Sequence, residues 1–184
     1  MGLFQKLFGG SAGGQQPQRS SGGASQPRSI HGAVEEGDLA GVQSALSSGR
    51  ASVSSRDSMQ RTPLHRAARG GQTATIQFLL DKGADIKAGD EYKWTPLHMA
   101  AESDKAEAVK LLIDRGAEVD ARDSDLRTAL HRAAEHNSVN AIKVLLEKAP
   151  ATLIPAGDDT GKTAKAVAIA MGHKEAVQII EQYE

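Results

Sequence analysis

Thr62-Pro63-Leu64-His65-Arg66-Ala67-Ala68 returns as Thr95-Pro96-Leu97-His98-Met99-Ala100-Ala101, and again as Thr128-Ala129-Leu130-His131-Arg132-Ala133-Ala134. The copies begin 33 residues apart, at positions 62, 95 and 128. A fixed period of this length implies one supersecondary unit stacked on copies of itself, each burying its apolar face against its neighbours. Such a stack has a long exposed face for holding another molecule and no closed pocket for chemistry.

Local chemistry predicts the shape of each unit. Thr62 is a helix N-cap, and Pro63 takes the first helical position, where its missing N–H costs nothing. The first helix runs through Leu64, Ala67 and Ala68, whose small side chains let neighbouring helix pairs approach closely. A turn at Gly70-Gly71 leads to a second helix with Ile76, Leu79 and Leu80 as an apolar stripe. Gly83 is a left-handed C-cap, and Asp85 to Asp90 form an extended connection and turn. The third unit repeats this with Leu97, Ala100, Ala101, Val109, Leu111, Leu112 and Gly116. The fourth has Leu130, Ala133, Ala134, Ile142, Val144, Leu145 and Leu146. A degenerate first unit aligns through Ile30, His31, Ala33, Leu39, Val42, Leu46 and Gly49. A truncated fifth runs from Thr163 through Gly172-His173 to Val177, Ile179 and Ile180.

The 33-residue period headed by T-[PA]-L-H-x-A-A resembles the ankyrin-repeat family over roughly residues 28–184. The resemblance implies an all-α solenoid of helix–turn–helix units joined by short hairpin loops. Its five repeats are expected at about 28–61, 62–94, 95–127, 128–162 and 163–184, behind a disordered N-terminal tail at 1–27. Two departures stand out. The family's hairpin reads Asp-x-x-Gly-x-Thr, but Gln60, Lys93 and Leu126 occupy the glycine position and only Gly161 obeys. A side chain there costs about 1 kcal/mol or forces another loop shape. The last interval is two residues longer, with the insertion around Pro150 to Pro155 and Ala149 in place of the C-capping glycine. The final repeat is therefore expected to be set off from its neighbours and docked least tightly.

The bulk composition is that of one domain plus a tail: 184 residues, 39% apolar, 24% charged and a net charge of −1. Near-neutral charge gives no general attraction to nucleic acid. With no cysteine, disulfides, thiolate metal sites and S-palmitoylation are excluded. No apolar run approaches the roughly 20 residues that cross a bilayer, and the start has no secretory h-region. A cytoplasmic monomer is expected. Lys6, Arg19 and Arg28, with no acid, put +3 on residues 1–34 and leave −4 for the remainder. Residues 9–29, rich in Gly, Ser, Gln, Pro and Ala, are too polar to pack a core and are expected to be a flexible linker.

Two motifs suggest chemistry that the surroundings do not support. Ala156-Gly157-Asp158-Asp159-Thr160-Gly161-Lys162-Thr163 fits a loose phosphate-loop pattern, but Asp158 and Asp159 would repel phosphate and no buried strand precedes it. It is read as a hairpin in phase with the others. His65, His98 and His131 lie one repeat apart, about 10 Å, too far for two to share a zinc ion. The family resemblance implies a structural hydrogen-bonding role for them. His136 is expected to be exposed, and His173 belongs to the Gly-His turn. No catalytic set stands out, and neither a cofactor nor a metal is expected.

In ankyrin-repeat proteins ligands usually contact hairpin tips and the exposed side of the first helices. Carried onto this chain, the resemblance implies Ser58, Met59, Arg61, Arg66 and Arg69 in repeat two. It implies Glu91, Tyr92, Trp94, Met99 and Glu102 in repeat three, and Asp125, Arg127, Arg132, Glu135 and His136 in repeat four. Interface hot spots are rich in Trp, Tyr and Arg, and the only tryptophan falls here, in the middle repeat. The expected function is a non-enzymatic module, a scaffold, adaptor or inhibitor, binding a partner protein with Trp94 and Tyr92 as anchors and Arg61, Arg66 and Arg69 favouring acidic groups. The alternative is a membrane-surface tether. Leu3, Phe4, Leu7 and Phe8 form an apolar cluster in residues 1–8 that would attach weakly to a membrane or a groove, and Gly2 is a candidate for myristoylation. Lys6 stands where Ser or Thr is preferred for that modification.

Overall fold

The computed structural model describes residues 29–184. The tail at 1–27, its amphipathic start at 1–8 and the lipidation candidate Gly2 lie outside the described residues. Those described form five antiparallel helix pairs, all-α, with one isolated bridge between Gly157 and Thr163. The inner helices are α1 (Ile30–Glu35), α3 (Pro63–Gly70), α5 (Pro96–Glu102), α7 (Ala129–Glu135) and α10 (Ala164–Met171). Their outer partners are α2 (Leu39–Ser47), α4 (Thr73–Asp81), α6 (Ala106–Asp114), α8 (Val139–Lys148) and α11 (Lys174–Glu181). A single turn, α9 (Pro150–Leu153), accommodates the two-residue insertion.

The repeat motif buries what it was expected to bury. Leu64, Leu97 and Leu130 are sealed in the core, with Ala67, Ala68, Ala100, Ala101, Ala133 and Ala134 lining the contacts between inner helices. Ile76, Leu79, Val109, Leu112, Ile142, Leu145 and Leu146 close the outer layer. Burying side chains of this size contributes about 1.5–3 kcal/mol each, so one repeat alone could not offset its chain entropy but a stack can.

Histidine joins one repeat to the next. In α3, α5 and α7 the imidazole Nδ1 accepts the backbone N–H of the N-cap threonine, at 3.1 Å for Thr62–His65 and 3.2 Å for Thr95–His98 and Thr128–His131. The opposite nitrogen, Nε2, donates to a carbonyl in the following repeat: His65 to Trp94 at 2.8 Å, His98 to Arg127 at 3.1 Å and His131 to Lys162 at 3.0 Å. His31 makes the corresponding bond to Arg61 at 3.0 Å. The imidazole thus replaces the Glu or Gln of a capping box and extends it across an interface. These bonds define the neutral Nε2–H tautomer and occupy both ring nitrogens, as the structural reading of the histidines expects.

The four hairpins share a second device. Asp57, Asp90, Asp123 and Asp158 each accept, through Oδ1, the N–H groups two and four residues ahead, all at 2.9 Å. These bonds hold the position three after the aspartate in the left-handed region: Gln60 at φ 58°, Lys93 at 60°, Leu126 at 55° and Gly161 at 77°. The loop does not change shape to suit the bulky residues; the side chains accept the strain. Hairpin tips also bond to each other across repeats, Glu91 N–H to Met59 C=O, Ser124 to Tyr92 and Asp159 to Asp125. The segment 156–163 is one of these hairpins, with Thr163 capping α10 through Ala166 N–H.

The last repeat is not set off. Leu153 in the inserted turn is fully buried, and Ala149, at φ −153° and ψ 57°, ends the helix without a left-handed cap. His173 Nε2 donates to Glu135 C=O at 2.9 Å, so α10 and α11 dock on repeat four with the same bonds used elsewhere.

Burial holds the His65, His98 and His131 side chains below the ordinary value of 6.5, against the pull of their carbonyl partners. Because the unfolded chain binds these protons more readily, their contribution is complete above about pH 6.5 and is lost as pH falls toward the depressed folded values. Urea denaturation should therefore give a flat stability at pH 7–8 and a declining one from about pH 6.5 to 5. Leu126, 48% exposed at φ 55°, supplies a second test. Leu126→Gly is expected to raise unfolding free energy by about 0.5–1 kcal/mol, the strain released less the chain entropy of glycine.

Candidate partner-binding site

The inner helices and hairpins place the expected residues on one face, with different degrees of freedom. Met59, Arg61, Arg69, Tyr92, Trp94, Met99 and Glu102 line a single depression of about 230 Å³ between repeats two and three. Asp90, read from the sequence only as the start of a hairpin, lines it too. Tyr92 is 54% exposed at the rim, whereas Met99 is 5% exposed and forms part of the floor. Arg69 is exposed and, among the described residues, makes no hydrogen bond or ion pair.

Arg61 and Arg66, expected to meet acidic groups on a partner, are already engaged within the fold. Arg61 Nε donates to Asp57 Oδ2 at 3.0 Å, and Arg66 reaches the same oxygen at 2.5 Å while also pairing with Glu35. Burial alone would push the Asp57 carboxyl up; the N–H groups of Arg61 and Met59 and the Arg61 guanidinium hold it below its ordinary value.

Repeat four contains the densest network. Arg132 is 8% exposed, and its guanidinium lies 4.3 Å from the centre of the Trp94 ring. Its Nε donates to Asp123 Oδ2 at 2.8 Å, with further bonds to Asp125 and Glu135 at 3.1 Å each. Burial disfavours the cation, but Asp123 and Glu135 raise its affinity for the proton. Arg127 donates to Glu135 at 3.2 Å; its buried Nε lies 3.8 Å from Asp158 Oδ2, an ion pair without a hydrogen bond. His136 is exposed, with Nδ1 at 3.1 Å from Arg132 C=O and Nε2 at 3.6 Å from Glu102. Asp125, Ser58 and Glu91 are exposed at the hairpin tips. Arg132 and Met99 thus form the wall and floor of the surface rather than its free contacts.

A family model for ankyrin repeats in three copies matches residues 30–123 and 120–183. The chain belongs to the ankyrin-repeat family. Ankyrin repeats are in general protein–protein interaction modules, and the scaffold is typically non-enzymatic. No helix among the described residues is long and apolar enough to cross a membrane.

Replacing Arg132 by methionine, the residue at the matching position of repeat three, leaves Asp123 buried without its guanidinium. Arg132→Met should lower stability by about 2–4 kcal/mol in urea titration. A cost near zero would show that the network is not coupled to folding.

Proposed function

We propose that the chain binds a partner protein through the hairpin tips and inner-helix face of repeats two to four, acting by occupancy as a scaffold, adaptor or inhibitor. The observation that carries this reading is the convergence of Met59, Tyr92, Trp94, Met99 and Arg69, from two hairpins and two inner helices, on one depression. An exposed aromatic beside a buried apolar floor, ringed by polar groups, is the composition of an interface hot spot. The surrounding ion pairs and the stacked Arg132–Trp94 pair keep that surface rigid, which lowers the ordering cost of binding. Tyr92 is the anchor, Trp94 presents the part of its ring left free by Arg132, and Arg69 supplies the free positive charge at the rim.

The test is capture of partners from source-cell lysate on the full chain, quantified against Tyr92→Ala and Arg69→Glu. Tyr92 is exposed, so its truncation should leave the thermal transition within a degree or two and reduce the affinity of the captured partner by about tenfold or more. A partner held equally well by wild type, Tyr92→Ala and Arg69→Glu would place the binding surface elsewhere.

A further inference from the structure

The repeats are not equivalent at one buried position. With a 33-residue offset, Asp57, Asp90 and Asp123 correspond, and so do Arg66, Met99 and Arg132. In repeat two Asp57 Oδ2 receives Arg66, and in repeat four Asp123 Oδ2 receives Arg132. Repeat three keeps the aspartate and loses the arginine, because Met99 stands in its place. Asp90 is 8% exposed, and its Oδ1 is filled by the N–H groups of Tyr92 and Trp94. Its Oδ2 has no hydrogen-bond or ion-pair partner among the described residues, and the carboxylate borders the depression.

The second oxygen of Asp90 has no partner within the described fold and opens onto the depression, so a cation seated there would gain a charge-assisted hydrogen bond. The local charge favours one. Arg61 is paired with Asp57, and neither Arg61 nor Arg69 pairs with Asp90, whose carboxylate shares the lining of the depression with Glu102. At about 230 Å³ the depression is smaller than the roughly 300–1,000 Å³ of small-molecule sites and is scaled to a single side chain.

We propose that the groove of repeat three receives an arginine side chain from the partner protein, which sets its guanidinium against Asp90 Oδ2 and fills the place that Arg66 and Arg132 hold in the flanking repeats. The proposal rests on the protein-binding reading above and names the residue that this surface recognises. Guanidinium is favoured over ammonium because Nε and Nη2 of its rigid fork can close together on one carboxylate oxygen, as those of Arg66 and Arg132 do.

Trp94, the only tryptophan, lines the groove and reports on it. The probe is N-acetylarginine methylamide, titrated into the full chain while Trp94 emission is followed, with the citrulline and lysine analogues in parallel. The expected result is a saturable response to the arginine probe, about tenfold weaker for lysine and absent for citrulline. Asp90→Asn keeps an oxygen for the two N–H groups of the hairpin and should lose the response. Met99→Arg should seat its own guanidinium on Asp90, raise Tm by about 2 °C or more and also abolish the response. Equal responses to arginine and citrulline would overturn the proposal, as would a Met99→Arg protein that binds the probe like wild type. Should Tyr92→Ala lose the captured partner while Asp90→Asn and Met99→Arg retain it, the protein-binding surface stands and the arginine assignment falls. Should the probe bind as expected while no partner depends on Tyr92, the protein-binding reading is the one that fails.

Discussion

In each of the three central repeats one imidazole carries two duties that a solenoid must otherwise divide. Through Nδ1 it starts its own inner helix, and through Nε2 it holds the end of the next hairpin. Helix start and repeat register are thereby a single hydrogen-bonded unit, buried where water cannot compete. Everything on the concave side depends on it, because the carbonyls it holds belong to Arg61, Trp94, Arg127 and Lys162, the last residues of the hairpins. Trp94 stands where it does because the carbonyl of that same residue is fixed by His65.

The aspartate at the head of each hairpin completes the frame. Its Oδ1 shapes the loop, and at Asp57 and Asp123 its Oδ2 meets an arginine on the following inner helix, whereas Asp158 Oδ2 faces Arg127 of the preceding hairpin. Repeats two and four satisfy it internally, and the middle repeat does not. A periodic framework of this kind can be altered at one position without disturbing the rest, since each repeat touches only its neighbours. Met99 in place of arginine is such an alteration, and it falls at the centre of the surface.

The fold was legible because its causes are local and repeated. Threonine, proline, leucine and histidine at a 33-residue interval specify a cap, a helix start, a core contact and an inter-repeat bond. The hairpin conformation was less so. Gln60, Lys93 and Leu126 argue against positive φ by themselves, but the two bonds to aspartate Oδ1 prevail over that preference. The close docking of the last repeat is not legible in the sequence, because Leu153 acquires its burial only when the insertion folds into a turn over the core. At the site, the residues around the groove could be placed from their repeat positions. That Arg132 is buried could not, since it depends on Asp123, Asp125 and Glu135 converging from separate segments on one guanidinium. Asp90 was missed for the converse reason: its role lies in the absence of a partner that only comparison of the repeats in space makes visible. The missing arginine was nevertheless written in the sequence, as Met99 between Arg66 and Arg132.

Long-range ¹H–¹⁵N correlation spectra of the histidine rings at neutral pH test the central claim most directly. The account predicts that His65, His98 and His131 are neutral Nε2–H tautomers, each with a slowly exchanging ring proton bonded to the next repeat. Rings found as Nδ1–H tautomers, or averaging between tautomers in fast exchange with water, would show that histidine does not hold the repeats together and that the groove is not built on a fixed frame.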